Sequence, residues 1–111
     1  MTIAVDFDGT IVEHMYPKIG KPIPNAIETI IKLQNAGHKI ILWTYRYGET
    51  LKDAVDYCQK NGIELYAANA SSPDDEWRPG RSRLIKADVF IDDRNIGGLM
   101  PWLEVEKILL G

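Results

Sequence analysis

Residues 3–10 read Ile3-Ala4-Val5-Asp6-Phe7-Asp8-Gly9-Thr10, and the fold turns on this octapeptide. Its apolar start has no polar interruption, as expected for a strand covered on both faces in a parallel sheet. Two aspartates follow, two residues apart, and face the same way for as long as the strand stays regular. Gly9 tolerates backbone angles closed to other residues, so it marks where the chain leaves the strand by an unusual turn.

Working outward, three further short apolar runs read as strands: residues 39–43, 63–66 and 89–91, besides 3–7. Helical periodicity lies between and after them. Residues 24–34 repeat Ile27, Ile30, Ile31 and Leu33, and Asn35-Ala36-Gly37 stops that helix. A second helix is expected to start near Glu49-Thr50, with Thr50 as its cap, to present Leu51, Ala54, Val55 and Cys58, and to end at Asn61-Gly62. A last helix spans residues 99–110. This alternation predicts an α/β fold, a three-layer Rossmann-like domain with a central parallel sheet. Right-handed crossovers then gather the C-terminal ends of the strands along one edge, where such sheets bind ligands.

The composition is compatible with this. The 111 residues fit one domain, 1–111, and are 45% hydrophobic and 26% charged, ordinary for a globular chain. A net charge of −3 without a basic stripe predicts no nucleic-acid partner. No apolar run approaches a membrane span, no leader pattern is read, and the lone Cys58 fits a reducing compartment, so a cytoplasmic protein is expected. Cys58 itself, among Val55, Tyr57 and Ile63, reads as a buried structural thiol, and the Asn69-Ala70-Ser71 sequon carries no weight without secretion.

The chemistry stands at the strand ends. The first ends in Asp6 and Asp8, the second in Thr44-Tyr45-Arg46, and the fourth in Asp92-Asp93-Arg94. Unpaired carboxylates gathered at one rim raise one another's pKa and invite protonation. A hard divalent cation removes that cost, and oxygen ligands suit Mg²⁺. A nucleophile, a cation and an acid for the leaving group are what phosphoryl transfer needs.

Asp6-Phe7-Asp8-Gly9-Thr10 resembles the first motif of the haloacid dehalogenase (HAD) superfamily, Asp-x-Asp-x-Thr. Ile40-Ile41-Leu42-Trp43-Thr44 resembles its second motif and Asp92-Asp93 its fourth, in the same order and spacing. The resemblance implies a Mg²⁺-dependent phosphatase acting on a phosphorylated substrate. Asp6 would be the nucleophile, forming an aspartyl-phosphate, and a metal ligand. Asp8 would be the general acid and base, ligating Mg²⁺ through its backbone carbonyl, with Thr10 orienting it. Thr44 would hold the phosphoryl group, with Gly9 and Thr10 as substrate-facing candidates; read from the residues alone, Tyr45 and Arg46 are candidates for substrate contact or for packing. Asp92 would complete the metal site, and Asp93 would join directly or through a water. For the third-motif cation the candidates are Lys86, then Arg83 and Arg81, with Arg46 as a further source.

The intervals between motifs leave no room for a cap domain. The site is therefore expected to be open, sheltered by a flap at residues 11–21 and the polar loop 71–83, and suited to a bulky substrate or to closure by another copy in a homo-oligomer. Blander readings exist for each feature. Asp92-Asp93-Arg94 can be a surface ion pair and helix cap, His14 and His38 exposed loop residues, Trp43 and Trp102 core, and Trp77 the buried base of its loop. Two other functions compete: a receiver-like phosphoacceptor, which would carry its aspartate where Trp43 stands, and a silent phosphate-binding module.

Overall fold

The structure, a computed structural model, describes residues 1–73 and 85–111. Trp77, Arg81 and Arg83, and with them most of the 71–83 loop, lie outside the described residues.

Among the described residues, four parallel strands form one sheet: β1 (Thr2–Asp6), β2 (Lys39–Trp43), β3 (Leu65–Ala68) and β4 (Val89–Ile91), in the spatial order β3-β2-β1-β4. The helices are α1 (Ala26–Asn35), α2 (Gly48–Lys60) and α3 (Trp102–Leu110). The protein is an α/β domain with a central parallel, Rossmann-like sheet. Successive units step from β1 to β2 to β3, and the chain then crosses back to place β4 on the other side of β1. That reversal makes the crevice beyond β1 and β4 the topological switch point, the place where open parallel sheets take ligands. Register fixes who meets there: Val5 lies opposite both Leu42 and Ile91, and Asp6 lies opposite Trp43.

Alternate residues of each strand face opposite ways. Ile3, Val5, Ile40, Leu42 and Ile91 pack in one buried core with Ala26, Ile30 and Leu33 of α1, Ala54 and Cys58 of α2, and Trp102 and Val105 of α3. These three helices of the described residues thus share one face of the sheet. The other face carries a smaller core of Ala4, Ile41 and Ile85, joined by Trp43, Tyr66, Ala67 and Ala87. It is covered in part by the β3–β4 connection, where the third layer is expected and where residues 74–84 are outside the description. Each fully buried aliphatic side chain contributes about 1.5–3 kcal/mol, so among the described residues the helical face supplies the larger share of the driving force. Burial pushes the Cys58 thiol up to about 12, which suits core packing and not nucleophilic chemistry.

Several boundaries differ from the sequence reading for local reasons. The third strand starts at Leu65, two residues late, because Ile63 closes α2. The Gly62 N–H donates to Gln59 O, and Ile63 N–H donates to Cys58 O at 2.9 Å; this is the paired carbonyl capping that a left-handed glycine allows. Gln34 then clamps the bend, donating to Gly62 O and accepting from Glu64 N. Thr50 does not cap α2: Tyr47 is the cap residue, and Thr50 Oγ1 donates to Tyr47 O from inside the first turn. The last helix starts at Trp102, after Pro101, not at Leu99. Among the described residues no helix is long and apolar enough to cross a membrane.

Candidate functional site

The chain leaves β1 by a tight turn. Thr10, Ile11 and Val12 all direct their N–H groups at Phe7 O, and Gly9 N–H donates to Val12 O at 2.7 Å. Gly9 has φ +85, and a Cβ there would stand 2.3 Å from Asp93 Oδ2. Glycine is therefore required twice, for its backbone angle and for the acidic side chain pressed against it. Beyond the turn, residues 11–23 form a narrow flap, closed by Glu13 N–H to Lys21 O and Ile23 N–H to Ile11 O.

Asp6, at the end of β1, and Asp92 and Asp93, just past β4, each offer a carboxylate oxygen within 4.8 Å of the others. Thr10 knits two of them together: its hydroxyl donates to Asp6 Oδ2 and accepts from Asp93 N–H, both at 3.1 Å. Trp102 anchors this turn from α3 by donating its indole N–H to the Thr10 carbonyl. Asp93 Oδ1 is buried with no hydrogen-bond partner among the described residues. Burial first, then the charge of Asp92 and a hydrogen bond with Asp93, push the Asp6 carboxyl up from 3.8 to about 7. Buried carboxylate oxygens crowded together, one of them orphaned, form the donor set a hard divalent cation satisfies. The residues fit Mg²⁺.

Asp8, two residues from Asp6, has opposite surroundings. Its side chain and that of Arg46 are both fully buried and form a bidentate pair, Nε to Oδ2 at 2.7 Å and Nη2 to Oδ1 at 2.8 Å. The remaining guanidinium N–H groups donate to the carbonyls of Pro17 and Lys18 in the flap and of Thr50 in α2. The cation also lies 5.1 Å from the ring centroids of both Phe7 and Tyr16. Arg46 therefore ties together the Asp8 turn, the flap and the start of α2. The bond to Asp8 raises the guanidinium above its ordinary value.

A cleft of about 400 Å³ opens above these groups, lined by Asp6, Asp8, His14, Trp43, Thr44, Tyr45, Asp92, Asp93 and Arg94. Thr44 is held at its edge by its N–H to Asn69 Oδ1 at 2.8 Å and by Arg46 N–H to its own hydroxyl at 3.1 Å. Asn69, left-handed at φ 52, also donates to Arg46 O and so braces the whole turn after β2.

The structure brings Asp6, Asp8, Thr44, Tyr45, Asp92 and Asp93 to one cleft and redistributes other roles. Arg46 does not line the cleft as a substrate-facing group, because its donors are spent on Asp8 and three carbonyls. Thr10 orients Asp6 and Asp93, not Asp8, whose orientation comes from Arg46. Lys86 is exposed and absent from the cleft lining, and its backbone N–H donates to Ser71 Oγ. Arg83 and Arg81 lie outside the described residues. Among the described residues, the cation that does line the cleft is Arg94. Sequence reasoning read Trp43 as core and His14 as an exposed loop residue, placed Arg94 at the rim without a role, and gave Asn69 none in the site. Arg94 had a signal, since it follows the acidic pair directly; Asn69 had none, because its role depends on a contact 25 residues away.

The solved structure of a conserved protein from Bacteroides thetaiotaomicron is 53% identical to this chain and superposes with a TM-score of 0.91 over 99% of this chain and 89% of its own. The chain belongs to the same family as that protein. A partial likeness, at TM-score 0.49 and 19% identity, runs over 60% of this chain and 47% of D,D-heptose 1.7-bisphosphate phosphatase from B. bronchiseptica, solved with magnesium and phosphate. No protein-family model and no curated protein matches the chain.

Proposed function

We propose that the chain is a Mg²⁺-dependent phosphomonoesterase of the HAD type. The observation that carries this reading is the meeting of Asp6, Asp92 and Asp93 around one point, with an orphaned carboxylate oxygen, at the floor of a cleft edged by Thr44. Asp6, Asp92 and Asp93, with the backbone carbonyl of Asp8, would hold the ion. Bound there, Mg²⁺ supplies positive charge to the phosphoryl oxygens and to the nucleophile.

Asp6 then attacks phosphorus through a carboxylate oxygen, and the ester P–O bond breaks as the aspartyl-phosphate forms. The departing oxygen takes a proton from Asp8. Water attacks the same phosphorus in the second step, Asp8 accepts its proton, and phosphate leaves as the Asp6–phosphorus bond breaks. Thr44 donates its hydroxyl to a phosphoryl oxygen, and Arg94 balances charge in the place that the sequence resemblance gave to Lys86. Both Asp8 oxygens accept from Arg46 at rest, so Asp8 serves as acid only after one of those bonds is given up and the freed oxygen takes a proton from water.

That same pairing favours a second reading, a module that binds phosphate with Mg²⁺ and does not turn it over. The two separate cleanly. Phosphate release from 4-nitrophenyl phosphate with Mg²⁺ is expected for the native chain, none for Asp6→Asn, and a loss of at least about a hundredfold for Asp8→Asn. Calorimetric binding of inorganic phosphate with Mg²⁺, without release from any ester, would favour the binding module instead.

A further inference from the structure

We infer that the substrate's leaving group carries a flat ring, as in an aryl or nucleoside monophosphate. This rests on the phosphohydrolase reading and names the substrate class of that site. The cleft, at about 400 Å³, falls within the range that holds a small organic molecule and exceeds what a phosphoryl group fills. On the β2 side of Asp6 its wall is made of Trp43 and Tyr45, joined by His14 from the flap; on the β4 side it is Arg94.

Tyr45 is the telling member. It remains 48% exposed, yet its ring is held in place. Its hydroxyl lies 3.2 Å from His14 Nε2, the His14 ring is stacked on it at 6.4 Å and 22°, and Tyr16 leans on it at 5.2 Å and 54°. Trp43 is likewise fixed, edge-on to Phe90 at 6.3 Å. A ring serving only to hold the flap down would be covered by it. An oriented, half-open ring beside a phosphoryl site is instead a stacking platform, and it loses little rotamer freedom when a planar group settles on it. A leaving group without a planar face would leave this wall wet.

Calorimetry with Asp6→Asn and Mg²⁺ tests this without turnover, using adenosine 5′-monophosphate, O-phospho-L-tyrosine, ribose 5-phosphate and glycerol 3-phosphate. At least one ring-bearing phosphate is expected to bind about tenfold more tightly than either ring-less one, a factor equivalent to ~1.4 kcal/mol. Whichever of the two ring-bearing ligands wins identifies the class. The advantage should fall below about threefold when Tyr45→Ala is added and should survive Tyr45→Phe. Equal affinity across the panel, or an advantage untouched by Tyr45→Ala, overturns the inference. Absence of phosphate release from the native chain would instead sink the hydrolase reading, and the binding series would still answer for the ring.

Discussion

Asp6 and Asp8 are separated by one phenylalanine and live in opposite electrostatic worlds. Asp6 sits with two more carboxylates and, among the described residues, no positive partner in hydrogen-bond range, so burial and repulsion drive its pKa to about 7. Asp8 is buried still more completely but is gripped on both oxygens by Arg46. The first arrangement is destabilising until something cationic arrives, whereas the second is self-sufficient. What surrounds the two identical side chains has thus separated them: Asp6 is left open to a metal ion, and Asp8 is already matched by the Arg46 guanidinium.

The comparison is broken most severely by removing Arg46. Arg46→Met strands a buried carboxylate and should cost about 3–5 kcal/mol in urea unfolding, with most of it recovered in Arg46→Met/Asp8→Leu. A loss below about 1 kcal/mol would mean that the pair is not what holds Asp8.

The Asp6 side responds in the opposite sense and through pH. Its folded pKa lies above the ordinary value, so the stabilisation from this group is complete below about pH 4 and is lost as pH rises through about 7. Metal-free protein should therefore weaken across that window, by on the order of a few kcal/mol, and Asp6→Asn should flatten the slope. Added Mg²⁺ should raise the melting temperature more at pH 8 than at pH 5. A metal-free stability profile that rises with pH over the same range would contradict the cluster.

Two smaller changes address one side at a time. Gly9→Ala drives a methyl group into Asp93 and should weaken Mg²⁺ affinity about tenfold by titration calorimetry, with about 1 kcal/mol of backbone strain. Asn69→Ala removes the brace on the Thr44–Arg46 turn and should cost about 1 kcal/mol while leaving Mg²⁺ affinity close to native. Equal effects of both on the metal would show that the two regions are not independent.

Much of this was open to reading in the residues alone. The order of strands along the chain, the parallel sheet, the glycine stops of α1 and α2 and the arrival of Asp6, Thr44 and Asp92 at one edge follow from apolar runs and turn chemistry, which are local. Strand three was placed two residues early because Ile63 is as apolar as its neighbours, and nothing in its type says whether it ends a helix or begins a strand. Thr10 was linked to the wrong aspartate for a related reason: hydroxyl and carboxylate were in the right segment, but rotamers choose partners.

The chain's own order of residue types was enough to establish which chemical groups would assemble and on which rim, since periodicity and backbone preference act over a few residues. Which carboxylate would be left bare and which neutralised could not be read that way. The choice depends on a guanidinium 38 positions from Asp8 and on flap carbonyls that close around it. Desolvation and ion pairing act through space, and they acquire values only once the packed chain has set the distances.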